Sequence, residues 1–193
     1  MTFASPVRLL LVVAVLAPAT ALAHPGHDIT MSLTQGLLHP LTGIDHLLAM
    51  FATGLWAAQL GRRASWTLPV VFPLAMLLGA ALQAAGVVLP AIESMIAVSV
   101  IALGAAIAMR VRMKLFAGAA LIAVFALFHG YAHALEAALS DRSMYAAGFV
   151  LATVSLHLMG LAVGARMHDA SARSLPLAGS MIGATGAVLL LAL

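Results

Sequence analysis

The chain has 193 residues, of which 64% are hydrophobic and 8% charged, with a mean hydropathy of +1.12; that balance excludes an ordinary soluble domain and points to membrane-spanning helices. It contains no cysteine, which excludes disulfides and thiolate metal sites and leaves imidazole, carboxylate, thioether or backbone oxygen for any transition metal. The formal charge of +3 is small and dispersed, so no nucleic-acid-binding footprint is present and the basic residues are read as topology marks.

Residues 1–23 carry Arg8, an apolar run from Leu9 to Leu16 and the tripeptide Ala21-Leu22-Ala23, the pattern of a secretory signal peptide with a small-residue cleavage site. Cleavage would start the mature chain at His24. Residues 24–32 then form an exterior tail in which His24, His27 and Asp28 are candidate ligands for a divalent metal; a disordered tail is the plainer alternative. Six apolar stretches follow, at 33–59, 66–86, 90–109, 114–136, 144–166 and 175–193, each at or near the ~20 residues a helix needs to cross the bilayer. The expected fold is an all-α polytopic membrane helix bundle, six transmembrane helices after a cleavable signal peptide, with residues 33–193 as one domain.

The links between these stretches set the orientation. Arg62 and Arg63 follow the first, Arg110, Arg112 and Lys114 follow the third, and Arg166 and Arg173 flank the link after the fifth, while the other links carry little positive excess. By the positive-inside rule the basic links are cytoplasmic and both mature termini lie outside, which agrees with the signal peptide. The topology puts His39, His129, His133, Glu136 and Glu93 in the outer half, and Asp45, His46 and His157 near the middle.

These residues need an explanation, because an ionisable group in the bilayer core is disfavoured by roughly 2.5–3.5 kcal/mol and usually faces a cavity, a partner or an ion. His129, His133 and Glu136 fall within roughly 60° of one another on a helix, a face that can chelate. His39 and His46 are seven residues apart, about 10 Å along an unbroken helix and too far for one ion. Either there are two stations or the helix breaks between them, and Pro40 and Gly43 supply a place for a break. Hydrogen-bonded tethering of helices is the plainer reading of both groups, and a satisfied core histidine that of His157. Gly160 with Gly164, and Gly179 with Gly183, have the spacing for close helix packing.

The first-span pattern H-P-x-x-G-x-D-H, from His39 to His46, and the fourth-span pattern F-H-G-x-A-H-x-x-E, from Phe128 to Glu136, together with His24-Pro25-Gly26-His27 after the leader, resemble the HupE/UreJ family of hydrogenase and urease accessory nickel permeases. Five residues separate His39 from Asp45, which departs from the H-x4-D-H signature of the larger nickel/cobalt transporters, so nothing is carried over from that class. The resemblance implies secondary transport of Ni²⁺, with Co²⁺ second, across the bacterial inner membrane, without a resident cofactor. It implies His39, Asp45, His46, His129, His133 and Glu136 as candidate ligands and hydrogenase or urease maturation proteins downstream; His24, His27, Glu93 and His157 are secondary candidates. The competing class is enzymatic: the His129/His133 pair could hold a metal-bound water in an intramembrane hydrolase or hydroxylase. A metal-sensing or assembly accessory role is a third reading.

Overall fold

The computed structural model describes residues 33–136, 142–170 and 173–193. The expected signal peptide and the tail with His24 and His27 lie outside the described residues. Within them the chain is helical: α1 (Leu33–Thr42), α2 (Ile44–Leu60), α3 (Arg62–Ala84), α4 (Ile92–Ala108), α5 (Leu115–Glu136), α6 (Arg142–Ala170) and α7 (Ser174–Leu191).

The first expected span is two helices, α1 and α2, meeting at 88°. Gly43 at the break is extended, at φ −95° and ψ 114°, a conformation open to any residue. Its requirement is spatial, since a Cβ there would lie 2.9 Å from the Asp45 carboxylate. The break orphans carbonyls at the end of α1 and N–H groups at the start of α2. Thr42 Oγ1 donates to the His39 carbonyl at 2.7 Å, and Asp45 Oδ1 accepts the His46 backbone N–H at 2.7 Å. A carboxylate in a first helical turn also suits the helix dipole. Of the two alternatives for His39 and His46, the chain takes the break at Gly43, which puts Asp45 and His46 in the first turn of α2.

Four helical segments are long and apolar enough to cross a membrane: Arg62–Ala84, Leu115–Glu136, Ser143–Met167 within α6, and Ser174–Leu191. The bent α1–α2 pair passes the same test as one span, and Ile92–Ala108 is a shorter apolar helix of 17 residues. The molecule is therefore a helical bundle of the polytopic membrane kind. Large apolar side chains such as Val70, Leu74, Leu78, Leu158 and Met181 point outward, as a lipid-facing surface requires.

The core is organised around α2, where Ala49, Met50, Ala52, Leu55, Trp56 and Ala57 are all fully buried. It packs against α3, α4 and α6, while α3 pairs with α5, α4 with α7, and α1 with α6. Small residues set these crossings, where association rests on close van der Waals packing. A Cβ at Gly54 of α2 would collide with the His157 carbonyl of α6, one at Gly160 with Phe51, and one at Gly130 of α5 with Met76 of α3. Gly179 approaches α4 at Ala108, and Gly164 approaches α2 at Ala58, so the glycine pairs expected to mark close packing do so. Between α2 and α3 the chain turns at Gly61, φ 100°, a backbone region that L side chains rarely adopt.

Candidate metal centre

The fold gathers the polar residues of four helices at one end of the bundle. α1 brings His39, the first turn of α2 brings Asp45 and His46, the last turns of α5 bring His129, His133 and Glu136, and α4 brings Ser99. The break at Gly43 makes this convergence possible, because it turns α1 across the end of the bundle. α1 is seated by two glycines, Gly36 against the Tyr145 carbonyl and Gly148 against the Leu33 carbonyl. One turn beyond Gly36, the His39 ring packs edge-on against Tyr145, centroids 5.6 Å apart, and lies 4.8 Å from the ring of His133.

His39 Nε2 donates to Glu136 Oε2 at 2.9 Å, and the same oxygen lies 3.7 Å from His133 Nδ1. One ligand atom from each of His39, His133 and Glu136 lies within 4.8 Å of the others. Donors held about 2.1 Å from one ion are at most about 4.2 Å apart, so small side-chain shifts would close this triad on a cation. A cavity of about 160 Å³ adjoins it, lined by His133, Tyr145, Phe149, Gly130 and Met76 among others; the Tyr145 hydroxyl has no hydrogen-bond partner among the described residues.

Behind the triad the His46 ring lies 4.2 Å from that of His133 and 4.7 Å from that of His129. The hydrogen bonds fix which nitrogen of each ring is bare in the neutral imidazole. His46 Nδ1 lies 2.8 Å from Asp45 Oδ1; the carboxylate accepts, so Nδ1 carries a proton, and in the neutral ring the buried Nε2, without a partner, carries the lone pair. Ser99 Oγ lies 2.6 Å from the Ile96 carbonyl and 2.9 Å from His129 Nε2. A hydroxyl has one proton, so both contacts are satisfied when Ser99 donates to the carbonyl and His129 Nε2–H donates to Ser99. His129 Nδ1, also buried and unpartnered, is then the bare nitrogen. An outer-shell acceptor holding one imidazole N–H so that the other nitrogen is free is the arrangement metal-binding histidines use.

Of the sequence candidates, His39, Asp45, His46, His129, His133 and Glu136 are thus brought together. Asp45 acts on His46 through a hydrogen bond. Glu93 is exposed in the first turn of α4, within electrostatic reach of Asp45, His46 and Glu136. His157 is apart, its ring 4.9 Å from that of Phe72, which is itself 5.8 Å from His129. Ser99 was not a sequence candidate; a serine in an apolar helix more often bonds its own backbone, and only the facing His129 reveals its second contact.

The family model described as HupE / UreJ protein matches residues 11–189. Protein HupE of Rhizobium leguminosarum bv. viciae is 38% identical over 175 residues, which cover 90% of this chain and 91% of that protein. No solved structure matches the chain. A family match over nearly the whole length, on a chain whose two motifs meet at one end of a helical bundle, establishes that this protein belongs to the HupE/UreJ family.

Proposed function

We propose that this protein is a secondary permease that imports a divalent transition metal, Ni²⁺ before Co²⁺, across the bacterial inner membrane to supply metalloenzyme maturation. The observation that carries the reading is the pair of bare, buried imidazole nitrogens on His46 and His129 next to the His39–His133–Glu136 triad. Imidazole and carboxylate without thiolate suit borderline dications; the order within that class follows the family resemblance.

In this reading α1–α2 and Ile92–Ala108 each count as a span, giving six, with the basic links cytoplasmic, the polar end of the bundle periplasmic, and a cleaved leader ahead of His24. Glu93, exposed near Asp45 and Glu136, adds negative charge where a cation arrives. His24 and His27 would add ligands on the exterior tail. Energy is at hand without a nucleotide: an inside-negative potential of 100 mV favours entry of a dication by about 4.6 kcal/mol, and the sequence has no phosphate-binding G-x-x-x-x-G-K-[ST] pattern.

The hydrolase reading needs His129 and His133 to hold one ion with an open position. His129 is held by Ser99 and His133 meets His39 and Glu136, with the His46 ring next to both, a chain of ligands that favours successive binding along a path. The test is flux of radioactive nickel into liposomes holding the purified protein under an imposed inside-negative potential. Voltage-dependent uptake above that of empty liposomes is expected; uptake equal to theirs would overturn the proposal.

A further inference from the structure

His157 sits in the interior of the bundle, away from the polar end. It is eight residues beyond Phe149 on α6, about 12 Å along the helix. The side chain is fully buried, and neither ring nitrogen has a hydrogen-bond partner among the described residues. Buried polar groups are normally satisfied, and in a membrane bundle no bulk water makes up the deficit. Its backbone is held in place, since a Cβ at Gly54 would strike the His157 carbonyl.

The helix facing it is built in an unusual way. α3 carries Pro69 and Pro73, both buried. Pro73 has no N–H to give the carbonyl four residues earlier, so the Pro69 carbonyl lacks its intrahelical partner. That carbonyl faces the His157 ring without reaching hydrogen-bond geometry. One imidazole and one released carbonyl thus share a buried site, and the fully buried Phe72 ring stands between it and His129, centroids 4.9 Å from His157 and 5.8 Å from His129.

We propose that His157 and the Pro69 carbonyl form an inner binding station for the transported dication, reached from the His46/His129 pair past the side chain of Phe72. This rests on the transport reading and extends it. An imidazole nitrogen and a carbonyl oxygen are both ligands that a borderline dication accepts, and helices interrupted near the middle of a bundle offer such carbonyls to ions in other transporters. The ion moves from outer to inner station by ligand exchange, with Phe72 turning aside. A station reached after capture governs how fast ions leave the outer cluster inward, not how tightly they are first held.

Two variants test this in liposomes and in detergent. His157→Gln keeps a hydrogen-bonding amide for the Pro69 carbonyl and is expected to keep the native melting temperature. It is expected to lower maximal nickel flux at least tenfold, with the half-saturating nickel concentration within twofold of native. Native maximal flux in His157→Gln would reduce the imidazole to a tether between helices and overturn the inference. In this cysteine-free chain, His157→Cys places one thiolate at the station, and added Ni²⁺ is expected to produce a sulfur-to-nickel charge-transfer band absent from the native protein and from Leu158→Cys. No band from a His157→Cys protein that still binds nickel at its outer cluster would also overturn it. Failure of the native protein to carry nickel would instead overturn the transport reading, and this inference with it.

Discussion

Asp45 takes two hydrogen bonds from one neighbour, the backbone N–H and the Nδ1–H of His46, so its work is to hold a tautomer and a ring direction. Ser99 does the same for His129 with a neutral oxygen. The two supports differ in charge, and their substitutions should differ accordingly. Outer-shell partners of metal-binding histidines typically contribute 10–100-fold in metal affinity. Asp45→Asn keeps a carbonyl oxygen but loses the negative charge that strengthens the bond and offsets a dication where screening is weak. It is expected to reduce nickel uptake at least tenfold at normal membrane abundance, and Asp45→Glu, with the charge moved by one methylene, to retain more. Ser99→Ala leaves the imidazole N–H of His129 unsatisfied and should sit near tenfold. Uptake and abundance measured together decide; near-native uptake by Asp45→Asn would mean that the charge of Asp45 is not needed to set the His46 ring. The identities of these residues were legible in the sequence, because imidazoles and carboxylates in apolar helices stand out against their surroundings. Ser99 and Phe72 did not stand out, since a hydroxyl and a phenyl ring are ordinary there and acquire meaning only from the ring that faces them.

At the scale of the element, the informative feature is a helix that fails to continue. Pro40 and Gly43 showed that a break between His39 and His46 was feasible, but its angle of 88° depends on where α1 finds a surface to pack against. That surface is α6, reached through Gly36 and Gly148, and Gly148 lies more than a hundred residues from Gly36 in the chain. Single-sequence periodicity cannot see such a pairing, which is why the sequence leaves the break between His39 and His46 open and gives it no angle. The consequence is testable. Gly148→Ala puts a methyl group against the Leu33 carbonyl and should lift α1, and with it His39, off Glu136 and His133. Gly186→Ala, at the α4–α7 crossing where its Cβ would be 2.7 Å from the Ile101 nitrogen, should cost about 1–3 kcal/mol as an overpacking change but leave the ligands in place. Nickel titration of the two purified variants is expected to show severalfold weaker binding for Gly148→Ala and native affinity at reduced stability for Gly186→Ala. Equal affinities would mean that the seat of α1 does not govern the site.

For the whole molecule, orientation matters as much as affinity: an inside-negative potential favours entry of a dication whichever way the bundle faces, but the ligands capture exterior metal only if the polar end faces the exterior. Arg62, Arg63, Arg110, Arg112 and Lys114 lie at the end opposite the histidines, the distribution expected when that end is cytoplasmic. Two exposed residues in opposite links make a clean test in a chain without cysteine. Val88, between α3 and α4, is 85% exposed, and Met109, just after α4, is 76% exposed. Both therefore offer a thiol to solvent or headgroups without disturbing the core, whereas Met113 packs against it. In intact cells with a permeabilised outer membrane, an impermeant thiol reagent is expected to label Val88→Cys and to spare Met109→Cys until the inner membrane is opened. Labelling of Met109→Cys from outside would invert the bundle and put the histidine cluster on the cytoplasmic side, where it could not capture metal arriving from the exterior.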